Sequence, residues 1–98
     1  MFKELDPLLH SQLRLSIISL LIGLKSATFT YLLEKTGATR GNISVQLKKL
    51  EEAGYIEIDK SFKDNYPLTT CRITRKGISA FESYVDALKE YLGTGDKK

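Results

Sequence analysis

The hydrophobic period of this 98-residue chain changes abruptly at Gly54, and few folds accommodate such a change. Before this glycine, Ile43, Leu47 and Leu50 are spaced as on one face of a helix, so they predict a helix with a single buried side. After it, Ile56 opens an alternation of apolar and acidic residues that is typical of a strand with one buried face. The chain therefore predicts a helix followed directly by a strand, with a glycine at the junction.

A second, shorter helix is predicted immediately before that one. Residues 31–36 end at Gly37, which suits the left-handed conformation found just beyond many helices. Residues 28–30 favour β structure, and they form either a stub strand or the start of this helix. Thr39 then supplies an N-cap for the helix predicted over residues 39–53. Since so few residues separate the two helices, the pair is typical of a helix-turn-helix.

Longer helices are predicted at both ends of the chain. Asp6 followed by proline is a helix-start signal, and the first helix extends from there to about Leu24. Thr74 starts a last helix that reaches about Leu92. Residues 93–98 form a polar tail that we expect to be disordered.

A β-hairpin is predicted between the second helix of the pair and the last helix. Its strands cover residues 55–59 and 68–73, and a long polar tip around residues 63–67 joins them. The order of elements predicts a single domain over residues 1–98, mostly α with a small β-hairpin (α+β), of the winged helix-turn-helix type. The wing is the hairpin, residues 55–73.

The composition argues against an enzyme or a metalloprotein. With Cys71 as the only cysteine and His10 as the only histidine, we expect no internal disulfide and no metal site. No nucleophile or cofactor motif is present, so we expect no enzymatic activity and no cofactor. The longest apolar run is far shorter than the roughly 18 residues of a membrane span, and no secretory signal is found, so a cytoplasmic protein without a membrane partner is expected. Cys71 is expected to be a small buried hydrophobe, with redox sensing as the alternative.

The net charge of +3 is unevenly distributed. Residues 39–49 contain three basic residues and no acid, and residues 60–76 contain five basic residues against Asp64. These two segments hold all of the positive excess. If one face of the fold carries both, it has the charge of a polyanion-binding surface, and the alternative is a set of solvated lysines.

The exposed side of the helix over residues 39–53 carries groups that suit DNA. Asn and Gln pair with adenine, Arg and Lys pair with guanine or phosphate, and an exposed valine contacts a thymine methyl group. Lysine and asparagine at the hairpin tip suit the phosphate backbone, whereas we expect the neighbouring Phe62 to pack on the domain. The predicted DNA-binding residues are Thr39, Arg40, Asn42, Ser44, Val45, Gln46, Lys48, Lys49, Lys60, Lys63, Asn65 and Arg72.

Five segments carry a resemblance to a known family. They are residues 13–18 (LRLSII), 29–32 (FTYL), 41–44 (GNIS), 47–56 (LKKLEEAGYI) and 73–77 (ITRKG). Over about residues 6 to 92 the chain resembles the MarR-type winged-helix regulators, in particular their small single-domain archaeal and bacterial relatives. The resemblance implies a transcriptional regulator that binds double-stranded promoter DNA as a homodimer, with the recognition helix in the major groove and the wing on the flanking backbone or minor groove. It leaves any small-molecule effector unknown.

Apolar residues on the first and last helices predict the homodimer interface. The first helix carries a second apolar stripe opposite the one expected to face the core, and the last helix has a broad apolar face. Projection leaves open which of these residues cover the core and which cross the interface. The predicted interface residues are Leu15, Ile18, Ile22, Tyr84, Leu88, Tyr91 and Leu92.

The alternative function is a winged-helix module for protein contact that does not bind DNA. Such a module is expected to present an apolar or acidic outward face on the helix over residues 39–53, whereas this chain presents a basic and polar face. The sequence therefore favours the DNA-binding regulator.

Overall fold

The computed structural model describes residues 2–93, which form four helices and a three-stranded antiparallel sheet. In chain order the elements are α1 (Gln12–Leu24), β1 (Ser26–Thr28), α2 (Phe29–Thr36), α3 (Arg40–Glu52), β2 (Ile56–Lys63), β3 (Tyr66–Ile73) and α4 (Arg75–Leu92). The strands lie in the order β1-β3-β2, so β3 is central. This architecture confirms the predicted α+β winged helix-turn-helix. Of the tail predicted to be disordered, residues 93–98, Gly93 is instead the C-cap of α4, and residues 94–98 fall outside the described residues.

Helix α1 begins later than predicted. Its N-cap is Ser11, whose hydroxyl accepts from the backbone N–H of Arg14 at 3.5 Å. The Asp6 carboxylate, predicted to cap the helix, instead accepts from the backbone N–H of Leu8 at 2.9 Å and from the Tyr55 hydroxyl at 2.5 Å. Asp6 therefore closes a turn and ties the N-terminal segment to the start of the wing, a long-range contact that local spacing does not reveal.

Helix α1 is the central helix of the core. It packs against α2, α3, α4, β1 and β3, and Ile17, Ile18 and Leu21 have no exposed surface. Because helices and sheet surround α1, apolar residues on two of its sides are used within one protomer. Ile18 is therefore a core residue and not an interface residue as predicted. The same correction applies to Tyr84, which is 5% exposed and hydrogen-bonded through its hydroxyl to His10 Nδ1 at 3.0 Å.

The helix-turn-helix pair forms as its cap residues predict. Gly37 ends α2 in the left-handed region, at φ 71° and ψ 13°. The Thr39 hydroxyl accepts from the backbone N–H of Asn42 at 3.2 Å and so starts α3. The buried residues of α3 are Ile43, Leu47 and Leu50, as their spacing predicts. Ahead of the pair, Thr28 both ends β1 and caps α2, so residues 28–30 are a stub strand and a helix start together.

The hairpin strands are longer than predicted. β2 and β3 continue in register to the pair Lys63 and Tyr66, so that only Asp64 and Asn65 form the turn. Both turn residues have positive φ, 52° and 67°, as a two-residue type I′ turn requires and as Asp and Asn tolerate. The predicted long polar tip is therefore a tight turn at the end of a ribbon of two 8-residue strands.

A tightly packed junction joins α3, the wing and α4. Gly54 adopts a φ of 82°, and its carbonyl oxygen accepts from the Thr74 hydroxyl at 2.6 Å. Gly77 leaves no room for a side chain, since a Cβ there would lie 2.3 Å from the Tyr55 carbonyl oxygen. Burial, with the hydrogen bond to Asp6, raises the pKa of the Tyr55 hydroxyl to about 12. Contacts at the base of the wing thus fix its position relative to α3.

Candidate nucleic-acid interface

The exposed side of α3 has a crest opposite its buried residues and a flank on either side. The crest consists of Gly41, Val45, Lys49 and Glu52, all solvent-exposed. Val45 is 51% exposed although it is apolar, and an exposed valine has no use on a helix that contacts only solvent. Gly41 contributes no side chain, and a Cβ there would meet nothing within 4 Å, so the backbone of the first turn is open to a close approach from outside. The crest therefore offers a low, partly apolar contact surface.

The flank of α3 toward the wing borders a groove of about 830 Å³. Arg40 and Lys48 from α3 and Lys60 from β2 line this groove together with one acid, Glu51. The guanidinium of Arg40 lies 5.7 Å from the centre of the Phe29 ring, a cation–π contact that orients it. The groove is therefore concave and positively charged. The predicted DNA-binding residues that line it are Arg40, Ser44, Lys48 and Lys60.

The opposite flank of α3 is hydrogen-bonded to α1. Gln46 Oε1 accepts from the Nη1 group of Arg14, and Gln46 Nε2 donates to Asn42 Oδ1 at 3.0 Å. Arg14 also donates from Nε to the carbonyl oxygen of Leu8 at 2.6 Å. Gln46, predicted to contact DNA, is thus half-buried and engaged within the protomer, while Asn42 stays exposed. The Thr39 hydroxyl, also among the predicted DNA-binding groups, is occupied as the cap of α3.

The end of the wing extends beyond the core. Phe62 is 77% exposed, so the prediction that it packs on the domain is wrong. The register explains the difference, because Phe62 lies two inward-facing positions beyond Ile58 and shares a face with Lys60 and Pro67. The strand is long enough to carry this ring past the last buried pair. The predicted DNA-binding residues at the tip are Lys63 and Asn65, both exposed.

Arg72 is set apart from the other predicted DNA-binding residues. Its guanidinium donates to Glu57 Oε1 at 3.1 Å, forming an ion pair between the two wing strands. The alternation of β3 puts Arg72 on the sheet face opposite the one that carries Cys71 and, across the ladder, Lys60. The structure therefore does not bring Arg72 into the groove beside α3.

Two residues that shape the surface were missed in the sequence, Arg14 and Phe29. Arg14 interrupts the apolar stripes of α1, and a basic residue within a central helix is a signal that could have marked it. Phe29 is a short-range neighbour of the helix-turn-helix, but its position under Arg40 depends on how α2 and α3 cross, which spacing alone does not give.

Cys71 lies in the core and not on any candidate surface. It is fully buried, which confirms the expectation of a small buried hydrophobe. Burial raises the pKa of its thiol to about 11, and Glu51 adds to this effect. Since the thiolate is the reactive form, this environment disfavours reaction at the sulfur.

Within residues 2–93, no cluster of three or more His, Cys, Asp or Glu side chains is arranged to hold a metal ion. The helices of that same range are too short or too polar to cross a membrane.

The helix-turn-helix, the wing and the basic groove between them define a winged-helix protein of the DNA-binding class. A family model described as a winged helix DNA-binding domain matches residues 13–92, and the chain belongs to this family. An uncharacterized protein from Methanocaldococcus jannaschii is 43% identical to it over 76 residues, which cover 78% of this chain and 83% of that protein.

Solved structures share the fold. A transcriptional regulator homologue from Pyrococcus horikoshii has a TM-score of 0.83 and 26% identity, over 92% of this chain and 89% of that chain. The transcriptional regulator BldR from Sulfolobus solfataricus has a TM-score of 0.70 and 23% identity, over 85% of this chain and 58% of that chain. The resemblance to MarR-type winged-helix regulators is confirmed. The chain is a DNA-binding regulator of a family that is typically not enzymatic.

Proposed function

We propose that this chain is a sequence-specific transcriptional regulator that binds double-stranded DNA as a homodimer in the cytoplasm, with α3 in the major groove and the wing on the flanking backbone or minor groove. The observation that carries the proposal is the groove between α3 and the wing, where Arg40, Lys48 and Lys60 converge. A concave surface with three basic side chains suits the phosphate backbone that borders a major groove. The two walls of the groove then contact adjacent parts of the same duplex.

The crest of α3 supports a position in the major groove. That groove is about 12 Å wide and admits a helix, and Gly41 allows the helix backbone to approach closely. The exposed Val45 suits a thymine methyl group. Asn42, beside the crest, is engaged with Gln46 through Oδ1 and leaves its Nδ2 group to face a base. The backbone N–H groups at the start of α3 also attract phosphate. We therefore assign base recognition to α3.

The wing supports a second, less selective contact. Lys60 lies on its groove face, and Lys63 and Asn65 lie at its end, beyond the core. A lysine ammonium is a flexible point charge that suits phosphate better than a defined base edge. We therefore assign affinity, rather than sequence preference, to the wing.

The homodimer is proposed to form through α1 and α4, together with the N-terminal segment that packs on the C-terminal half of α4. Phe2 stacks on Tyr91 with ring centres 4.6 Å apart, and the Lys3 backbone N–H donates to Glu90 Oε1 at 2.8 Å. Leu92 beside this stack is 64% exposed, so the combined surface is apolar and uncovered in the protomer. With Ile18 and Tyr84 in the core, the interface residues that remain proposed are Leu15, Ile22, Leu88, Tyr91 and Leu92.

Sedimentation tests the dimer. At micromolar concentration the protein is expected to sediment at about twice its chain mass of 11.0 kDa. Leu92→Asp places a charge on the proposed interface and should give monomers. Phe62→Asp makes the same change at another highly exposed apolar residue, on the wing, and should leave the dimer intact. A monomer from the unaltered protein would contradict the proposed assembly.

Selection of genomic fragments by the purified protein tests DNA binding. A small set of enriched fragments is expected, each with a pseudo-palindromic site, because a two-fold dimer presents two copies of α3. Affinity for these fragments should fall by orders of magnitude between about 50 and 200 mM salt, as several phosphates are contacted. No enrichment together with a flat salt response would favour the protein-contact module instead.

A further inference from the structure

Arg14 and two amide side chains of α3 form one hydrogen-bonded chain. The guanidinium of Arg14 donates to Gln46 Oε1, and Gln46 Nε2 donates to Asn42 Oδ1 at 3.0 Å. At the other end, Arg14 Nε donates to the Leu8 carbonyl oxygen at 2.6 Å. Arg14 and Gln46 are half-buried, whereas Asn42 is exposed beside the crest of α3. This series of hydrogen bonds therefore connects the inside of the protomer with the surface proposed to face DNA.

The chemistry of Arg14 gives this chain a direction. A guanidinium has only donors, so Gln46 must turn its oxygen toward it. The Gln46 nitrogen then points the other way, along α3, and requires an acceptor. Asn42 accepts this hydrogen bond through Oδ1, so its Nδ2 group is the end of the amide that remains available. An isolated surface Asn has no such constraint and can present either end.

We propose that Arg14 is a positioning residue for base recognition: through Gln46 it fixes the Asn42 amide with Nδ2 outward, so that α3 selects a base that offers a major-groove acceptor. This inference rests on the proposed function, since it requires α3 to lie in the major groove. Guanine N7 and O6, thymine O4 and adenine N7 are acceptors of the required kind, whereas cytosine offers only a donor. Holding the amide in one orientation before binding removes an ordering cost that a free side chain would pay on the DNA.

Gln46→Glu keeps the shape of the side chain but reverses the direction of the hydrogen bond between residues 46 and 42. A carboxylate accepts from Arg14 but cannot donate to Asn42, so Asn42 must turn Nδ2 inward and Oδ1 outward. Selection from a pool of short duplexes with a randomised core should show the result. The parent protein is expected to disfavour C at one position of each half-site, because cytosine offers only a donor there. The variant presents an acceptor and should instead prefer a base with a donor, cytosine N4 or adenine N6, with a change in the ratio of C to G or T of about tenfold.

Three further variants separate orientation from charge and from simple loss of structure. Arg14→Ala should relax the preference at that position only. Arg14→Lys, which keeps a donor-only group, should retain it. Lys35→Ala removes the same charge from the end of α2, away from the hydrogen-bonded chain, and should change no preference. An unchanged preference in both Gln46→Glu and Arg14→Ala would overturn the proposal.

The hydrogen-bonded chain can also be observed without DNA. The side-chain amide signals of Gln46 and Asn42 in a ¹H–¹⁵N spectrum should be dispersed and slow to exchange in the parent, and both should shift toward free-amide values in Arg14→Ala. If they do not shift, Arg14 does not hold these amides and the proposal fails at its first step. If they shift but the parent selects no duplex, the failure lies with DNA binding by α3, which removes the basis of the proposal while the contact itself stands.

Discussion

Helix α3 and the wing border the same groove but are held in different ways. α3 buries Ile43, Leu47 and Leu50 along its length and begins at a capping residue. It is also hydrogen-bonded to α1 through Gln46. The wing is anchored at its base, where Ile56 and Cys71 are buried and β3 pairs with β1, whereas residues 61–67 at its outer end are all exposed. Helix α3 is therefore held by core packing, a cap and a hydrogen bond to α1, whereas the wing is held at one end.

This difference matches the demands of the two kinds of DNA contact. Base recognition requires donors and acceptors placed to within about half an ångström, which only a well-supported side chain provides. A phosphate contact needs charge and reach, and it tolerates variation in position. The support around α3 and the free end of the wing thus favour a division of labour between base recognition and backbone attraction.

The largest effect is expected from the anchor of α3. Leu50→Ala removes a fully buried side chain and should lower the free energy of unfolding by about 2–5 kcal/mol. Phe62→Ala removes a larger side chain, but one that is 77% exposed, and should change stability by less than about 0.5 kcal/mol. Denaturant unfolding of both variants measures the contrast. Equal losses would mean that the wing tip is packed in solution and would remove the distinction between the two regions.

A smaller loss is expected at the junction that both regions share. Gly77→Ala brings a Cβ to 2.3 Å from the Tyr55 carbonyl oxygen and 2.9 Å from Ile73 Cδ1, so backbone must move, at a cost of about 1–3 kcal/mol. Ser79→Ala, at an exposed position two residues further along α4, is the matched control and should be nearly neutral. Thermal unfolding of the two variants gives the comparison, and a stable Gly77→Ala protein would show that the junction is looser than its contacts indicate.

Local signals in the sequence predicted α3 more closely than the wing. Gly37, Thr39 and the spacing of the buried residues located α3 to within one residue, because caps and periodicity act over a single turn. The wing strands were predicted too short, since a polar run containing Pro67 is typical of a loop. The pairing across the hairpin, which places Pro67 opposite Phe62, is a property of two strands together and not of either one.

Contacts between distant segments lie beyond what such signals can predict. The hydrogen bond from Arg14 to Gln46 joins residues 32 positions apart, and the one from Tyr55 to Asp6 spans 49 positions. Each depends on how whole elements cross, and each changed an expectation: Gln46 became an internal partner, and Asp6 became a tertiary contact instead of a helix cap. The sequence predicts which residues line the candidate site far better than it predicts how they orient one another.

A glycine on the crest of α3 gives a third test, with opposite effects on stability and on binding. Gly41→Ala should stabilise the helix by up to about 1 kcal/mol, since a Cβ there meets nothing in the protomer. If the backbone at Gly41 approaches DNA closely, the same methyl group should lower DNA affinity. Gly23→Ala, at a helical glycine of α1 with equally open surroundings, should stabilise the protein without affecting binding. Equal DNA affinity in both variants would argue that the crest does not face the duplex.

The smallest effect is expected at the end of the wing, where Lys63 meets the backbone in our proposal. Lys63→Ala should weaken binding to selected and random duplexes alike and reduce the slope of log affinity against log salt by about 1 per contact, because one phosphate contact is lost. Titrations against a selected site, its single-base variants and a random duplex, at several salt concentrations, measure both quantities. Lys35→Ala removes a charge from α2 and should leave the slope unchanged. Asn42→Ala should show the opposite pattern, with an unchanged slope and a loss of about 1–3 kcal/mol at one base position. If Lys63→Ala instead altered base preference while Asn42→Ala weakened all duplexes equally, the end of the wing would recognise the bases. Base recognition would then not depend on the support that α3 receives from the rest of the protomer.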